Sequence, residues 1–142
     1  KDTIVDKISP KRIYIDRSDS SPNTKAIRLI TNEKEVKNFL INNGFESIVL
    51  GNLHFKDQIK IFNNAEIIVG LHGAGFSNIS FCKTGTKVIE LKNTTDGKVI
   101  ENLALNNNLI YKSINCEAVK FKVAQFGHIN VPIESLKKII ES

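Results

Sequence analysis

The stretch from Glu66 to Cys82, E-I-I-V-G-L-H-G-A-G-F-S-N-I-S-F-C, constrains the fold of this chain more than any other. It predicts a buried strand over Ile67–Val69, a tight glycine turn, and a helix that begins near Phe76. The turn contains Gly70, His72, Gly73 and Gly75. A strand that leads through glycines into a helix exposes backbone N–H groups at the positive end of a helix dipole. This arrangement suits a phosphate and predicts a nucleotide or nucleotide-sugar site.

The rest of the chain alternates between strand-like and helix-like segments. The predicted strands are Arg12–Asp16, Phe45–Leu50, Ile67–Val69, Thr86–Leu91 and Leu109–Ile114. The predicted helices are Glu33–Asn43, Phe55–Asn64, Phe76–Cys82, Val99–Leu105 and a last helix that starts at Pro132. This alternation implies right-handed βαβ units and a parallel sheet with helices on both faces. We therefore predict an α/β, Rossmann-like domain over residues 1–142, with Glu117–His128 left unassigned.

Composition bounds the class of protein. The chain has 142 residues, of which 41% are hydrophobic, enough for one globular core. Neither an apolar run of about 18 residues nor a secretory leader is visible. Because the sequence contains no methionine, we expect it to be a piece of a longer polypeptide.

The net charge and the two cysteines limit which partners, metal sites and compartments are expected. The net charge of +5 favours an anionic partner, but the lysines are scattered and are not interleaved with aromatic residues, which argues against nucleic acid. Cys82 and Cys116 lack metal-ligand spacing and are expected to be buried free thiols, so no metal site is predicted. Such thiols favour a reducing compartment, which is the cytoplasm if the chain is bacterial. Membrane association through regions outside this chain stays open, as does a homo-oligomer.

Three polar features follow strands that a parallel sheet would bring to one rim. They are Arg17 after the first strand, His72–Gly75 after the third, and Glu90 near the end of the fourth. Ligands of open α/β sheets bind beyond the carboxyl ends of the strands. Arg17 suits a phosphate, and Glu90 needs donors that ribose hydroxyls or a partner within the protein could supply. Arg28 is a second basic candidate that could equally pair with Glu33 or Glu35.

Known phosphate and hydrolase motifs do not account for the glycine turn. Its pattern, G-x-x-G-x-G, is not the dinucleotide fingerprint, and it lies in the third βα unit rather than the first. No P-loop motif occurs, and the G-x-S-x-G nucleophile elbow of lipase-type hydrolases is missing. The glycines could also be close-packing points, and His72 could be a structural cap of the turn.

Five segments, in order, resemble the carboxyl-terminal half of the family 61 glycosyltransferases. They are R-I-Y-I-D-R-S, R-L-I-T-N-E-K-E-V, G-F-E-S-I-V-L, Q-I-K-I-F-N-N-A-E-I-I-V-G-L-H-G-A-G-F-S-N and F-C-K-T-G-T-K-V-I-E-L. They cover about Arg12 to Leu91. The family includes plant xylan-decorating enzymes, animal enzymes of O-linked glycan synthesis and bacterial capsular polysaccharide proteins.

The resemblance implies an inverting, metal-independent sugar transfer on a two-domain GT-B-like scaffold. This domain would hold a nucleotide sugar, expected to be UDP-linked, and the acceptor would be a glycan. Because no persuasive base occurs in this sequence, we expect the catalytic base in the amino-terminal domain of the same protein. The residues it implies for donor binding are Arg17, Arg28, Asn32, Glu33, His72, Gly73, Ala74, Gly75, Asn78 and Glu90. The loop from Ser18 to Ile27 is longer than the family pattern. A non-catalytic α/β nucleotide-binding or interaction module is the alternative reading.

Overall fold

The fold is that of a computed structural model, which describes residues 9–17, 29–93, 95–116 and 128–142. The strands are β1 Arg12–Asp16, β2 Glu46–Val49, β3 Ile67–Leu71, β4 Lys87–Asn93 and β5 Ile110–Cys116. The α-helices are α1 Glu33–Asn42, α2 Phe55–Asn64, α3 Val99–Asn106 and α4 Ile133–Glu141, and Leu50–Asn52 and Ala74–Phe81 form 3₁₀ helices. Arg28 and most of the unassigned Glu117–His128 segment lie outside the described residues.

The five strands form one parallel sheet in the order β2-β1-β3-β4-β5. This confirms the predicted α/β fold with a parallel sheet. The chain steps from β1 outward to β2 and then returns to the other side of β1 as β3. A crevice opens at such a reversal, beyond the carboxyl ends of the two diverging strands, and there α/β proteins bind their ligands.

Both faces of the sheet are covered by helices. Successive strand residues point to opposite faces of the sheet, so an apolar strand contributes side chains to a hydrophobic core on each face. One core joins α1 and α4 to the sheet through Val36, Leu40, Leu136, Tyr14, Val69 and Ile89. The other joins α2, α3 and the second 3₁₀ helix to the opposite face through Phe62, Ile100, Phe76, Ile13, Ile68 and Val88. In the described part of the chain, no helix has the length and apolar character needed to cross a membrane.

The glycine turn differs from its prediction. Gly70 does not belong to the turn, because β3 continues through Gly70 to Leu71. The reason is that Gly70 pairs with Glu90 and Leu71 with Leu91 of β4. β4 itself continues to Asn93, two residues beyond its predicted end. The His72 N–H then donates to the Leu91 carbonyl at 2.9 Å, which extends the pairing one residue beyond the strand.

The helix after the turn is a 3₁₀ helix over Ala74–Phe81 rather than the expected helix over Phe76–Cys82. Side chains three residues apart stack on one side of a 3₁₀ helix. Phe76 and Ile79 have this spacing and both are fully buried, at 0% exposure. The apolar spacing of the segment therefore fits a three-residue period.

Candidate functional site

Arg17 and Gly73 meet at the reversal between β1 and β3. Arg17 directly follows β1, and Gly73 lies two residues after β3. A Cβ built on Gly73 would lie 2.5 Å from Nη1 of Arg17 and 3.6 Å from its Cζ. The guanidinium therefore lies against the Gly73 backbone. Among the described residues, no carboxylate forms an ion pair with it.

Gly73 also has a backbone conformation that other residues rarely adopt. Its φ is 152° and its ψ is −169°, a region that is essentially restricted to glycine. A side chain at this position would be strained and would also displace the Arg17 guanidinium. Glycine is thus needed here both for the path of the turn and for the approach of the arginine.

Gly70 and Gly75 have a different role, because both allow close packing on Ile15 of β1. A Cβ on Gly75 would lie 2.9 Å from Cγ2 of Ile15. A Cβ on Gly70 would lie 3.3 Å from Cβ of Ile15 and 3.0 Å from Cζ of Phe76. These two glycines are close-packing points that seat the 3₁₀ helix on the sheet.

Replacing Gly75 by alanine is expected to lower the free energy of unfolding by about 1–3 kcal/mol, because Ile15 is held within the sheet and cannot yield. Gly97→Ala is the matched control, since a Cβ at Gly97 would meet nothing within 4 Å. Urea denaturation followed by circular dichroism measures both. Equal stability of the two variants would contradict the packing role of Gly75.

His72 and Glu90 form the second part of the site. Nδ1 of His72 donates a hydrogen bond to Oε2 of Glu90, and the hydroxyl of Tyr111 donates to Oε1 at 2.5 Å. Glu90 is fully buried, whereas a quarter of the His72 side chain is exposed. Burial, followed by the hydrogen bond to Glu90, raises the pKa of Tyr111, so this phenol keeps its proton and remains a donor. The donors that a buried Glu90 requires thus come from the protein itself.

Sequence reasoning missed Tyr111 and Lys92. Tyr111 contacts Glu90 because β4 pairs with β5 in a register that sets Glu90 opposite Ser113, and no local pattern specifies that register. Lys92 lies two residues after Glu90 on the same face of β4. It is buried, and its Nζ donates to the Gly97 carbonyl at 3.2 Å. The available signal for Lys92 was its position directly after the predicted strand Thr86–Leu91.

Three other predicted site residues make hydrogen bonds within the protein. The Asn32 amide donates to the Val131 carbonyl at 2.8 Å and accepts from the Val131 N–H at 2.9 Å. Glu33 accepts from the Tyr14 hydroxyl at 2.9 Å. Nδ2 of Asn78 donates to Oε1 of Gln58 at 2.8 Å. These contacts tie the start of α1 and the 3₁₀ helix to their neighbours.

Ala74 is the first residue of the 3₁₀ helix, and Arg28, as noted, lies outside the described residues. Both cysteines are free, with Cys116 buried and Cys82 partly buried. Burial raises the pKa of Cys82 to about 12 and that of Cys116 to about 11, so neither is an activated nucleophile. Among the described residues, no group of three His, Cys, Asp or Glu side chains could hold a metal ion.

The arrangement has the features of an anion site. The Arg17 guanidinium and the glycine turn lie together at the reversal of strand order, and the partly exposed His72 precedes Gly73 in the turn. Cationic and N–H donors at the carboxyl rim of a parallel sheet are typical of phosphate recognition. The reversal of strand order gives the ligand a crevice in which to lie.

The chain is similar to known glycosyltransferases. Residues 2–89 match the family described as Glycosyltransferase 61. A protein of Rattus norvegicus named EGF domain-specific O-linked N-acetylglucosamine transferase is 34% identical over 89 residues, which cover 59% of this chain and 17% of that protein. Proteins of the same name are 36% identical over 59 residues in Mus musculus, covering 42% of this chain and 11% of that protein, and 38% identical over 52 residues in Pan troglodytes, covering 37% and 10%.

This chain spans less than a fifth of the length of the curated relatives it matches. The family match, by contrast, covers more than half of the chain and includes Arg17, the glycine turn and the first three residues of β4. The chain therefore belongs to the Glycosyltransferase 61 family, as its sequence motifs predicted.

Proposed function

We propose that this chain binds the nucleotide-sugar donor of a glycosyltransferase. The observation that carries the proposal is the contact between the Arg17 guanidinium and Gly73 at the reversal of strand order in a parallel sheet. In the proposed complex Arg17 contacts the donor pyrophosphate, and the turn from His72 to Gly75 with Asn78 receives the phosphates. Arg28 and Asn32 contribute from the segment before α1, and Glu33 contributes from the first position of that helix.

The proposed reaction is an inverting transfer. The acceptor hydroxyl oxygen attacks the anomeric carbon of the sugar, while the bond from that carbon to the diphosphate oxygen breaks and its electron pair leaves with the nucleoside diphosphate. The departing diphosphate gains negative charge, and a guanidinium with backbone N–H groups stabilises that charge in the transition state. We propose that these groups serve in place of a metal ion. A base in the amino-terminal domain of the same protein takes the acceptor proton.

The wider assignment extends this proposal. We propose a GT-B-like arrangement in which this domain forms the carboxyl-terminal, nucleotide-binding half, with a UDP-linked donor and a glycan acceptor. Relatives named as O-linked N-acetylglucosamine transferases support a role in glycan synthesis. Capsular polysaccharide synthesis in the cytoplasm of a bacterium is the setting we propose.

The test is a calorimetric titration of UDP, GDP and CMP into this chain. We expect saturable binding, and we expect UDP and GDP to bind more tightly than CMP, because their diphosphate engages Arg17 and the turn. UDP should bind more tightly than GDP, since the proposed donor is UDP-linked. No binding of any of the three at millimolar concentration would contradict the proposed site.

Catalysis separates the proposal from a non-catalytic nucleotide-binding module. We expect this chain alone to bind the nucleotide without transferring sugar, and a longer protein that also contains the proposed amino-terminal domain to transfer it. Absence of turnover in the longer protein, despite binding, would favour the non-catalytic module. Turnover by this chain alone would place the base among its own residues.

A further inference from the structure

Three polar side chains are linked across one face of the sheet. His72 follows β3, Glu90 lies in β4 and Tyr111 in β5, so the three come from neighbouring strands. The carboxylate of Glu90 joins them, accepting from Nδ1 of His72 with one oxygen and from the Tyr111 hydroxyl with the other. The linked set begins beside Gly73, the residue that the Arg17 guanidinium contacts.

The burial of these groups decides which atom can reach a ligand. Glu90 has no exposed surface, and both of its carboxylate oxygens already have partners. Nδ1 of His72 is hydrogen-bonded to Glu90, and a quarter of the His72 side chain remains exposed. Nε2 is the ring nitrogen left for a ligand.

We propose that Glu90 and Tyr111 are positioning residues that hold the His72 imidazole so that Nε2 contacts the diphosphate of the donor. This inference rests on the proposed function. Glu90 then acts through His72 and does not contact the ribose, and Tyr111 becomes part of the site although its hydroxyl touches no ligand.

The physical reason for such an arrangement is the freedom of an unanchored histidine. An unanchored ring can turn about its side-chain bonds, so a ligand would have to select one orientation. A diphosphate oxygen can only accept, so Nε2 must donate to it while Nδ1 donates to Glu90, and the ring in that contact carries a hydrogen on both nitrogens. A carboxylate that accepts from Nδ1 fixes the orientation of the ring and stabilises the positive charge of this doubly protonated form. Tyr111 in turn holds the carboxylate, because a buried carboxylate needs a donor on each oxygen.

The test compares Tyr111→Phe with Thr86→Val in UDP titrations and in nitrogen NMR spectra of the histidine rings. Thr86→Val is the matched control, because it also removes a buried hydroxyl, one that donates to Ala65 at 3.2 Å near the amino end of β4. We expect Tyr111→Phe to raise the Kd for UDP about five- to tenfold and to shift the His72 ring signals. Thr86→Val should change neither.

The spectra also identify the ligand-facing atom. In the unmodified chain, UDP should move the Nε2 signal of His72 and leave Nδ1 nearly in place. In Glu90→Gln, a second variant that preserves side-chain shape, the ring signals of His72 should change in the absence of any nucleotide. A spectrum unaltered in both Tyr111→Phe and Glu90→Gln, or a UDP response centred on Nδ1, would overturn the proposal.

Failure of the proposed function gives a different result. If neither the unmodified chain nor any variant binds UDP, the proposed donor site is wrong, and so is the proposed contact between Nε2 and the diphosphate. The ligand-free spectra would still report whether Glu90 and Tyr111 hold the ring. If UDP binds normally and Tyr111→Phe binds it as tightly as the unmodified chain does, the positioning role alone is wrong.

Discussion

Replacing Arg17 by alanine is expected to weaken UDP binding about 30- to 100-fold, which corresponds to the loss of about 2–3 kcal/mol of charge-assisted hydrogen bonding. The guanidinium lies against the Gly73 backbone of the turn that is proposed to receive the phosphates. Arg17→Lys should recover only part of the affinity, because a lysine cannot make the paired contacts of a planar guanidinium. Calorimetric titration gives the Kd for UDP of the unmodified chain, of Arg17→Ala and of Arg17→Lys.

Arg12→Ala is the matched control, because Arg12 is the arginine at the opposite end of β1. Its Nη1 donates to the Asn43 carbonyl at 3.0 Å, and its guanidinium lies 5.6 Å from the centre of the Phe45 ring. We expect the UDP affinity of this variant to match that of the unmodified chain. The deficit of Arg17→Ala should also shrink as salt is added, since the lost attraction is electrostatic. A similar loss in both variants would point to net charge rather than to a site.

Replacing Phe76 by alanine is expected to lower the free energy of unfolding by about 3–5 kcal/mol, the cost of emptying a buried aromatic position. Phe76 has 0% exposure, and its ring tip fits against Gly70 in the middle of the sheet. Domains of this size are stable by only about 5–15 kcal/mol, so the variant should be partly unfolded in mild urea. Leucine fills part of the space, so the free energy of unfolding of Phe76→Leu should lie between those of Phe76→Ala and the unmodified chain.

Phe55→Ala provides the comparison for this loss. Phe55 is 62% exposed and makes an edge-to-face contact with Phe81, with ring centres 5.8 Å apart. Its removal should cost about 1 kcal/mol or less. Urea denaturation followed by circular dichroism gives the free energy of unfolding of each variant. If Phe76→Ala were no less stable than Phe55→Ala, the 3₁₀ helix could not depend on the Phe76 contact for its position.

Local patterns predicted most of the elements. The apolar strand residues, the helical spacing of Val36 and Leu40, and the break at Asn43-Gly44 depend only on neighbours in the sequence, and the structure confirms an α/β fold. The predicted end of β3 was wrong because the position of that end depends on pairing with a distant segment. Gly70 reads as a turn residue by itself, but it pairs with both Ile15 and Glu90 in the sheet.

The sequence by itself determined that strands and helices alternate, that glycines and His72 follow a buried strand, and that Arg17 and Glu90 occupy the carboxyl ends of two others. It also carried the motifs of the family. Only the tertiary structure decided that β1 lies beside β3, which brings Arg17 onto Gly73, and that β5 lies beside β4, which brings Tyr111 onto Glu90. Strand order and register arise from contacts between residues far apart in the chain, and the same local periodicity is compatible with several such pairings.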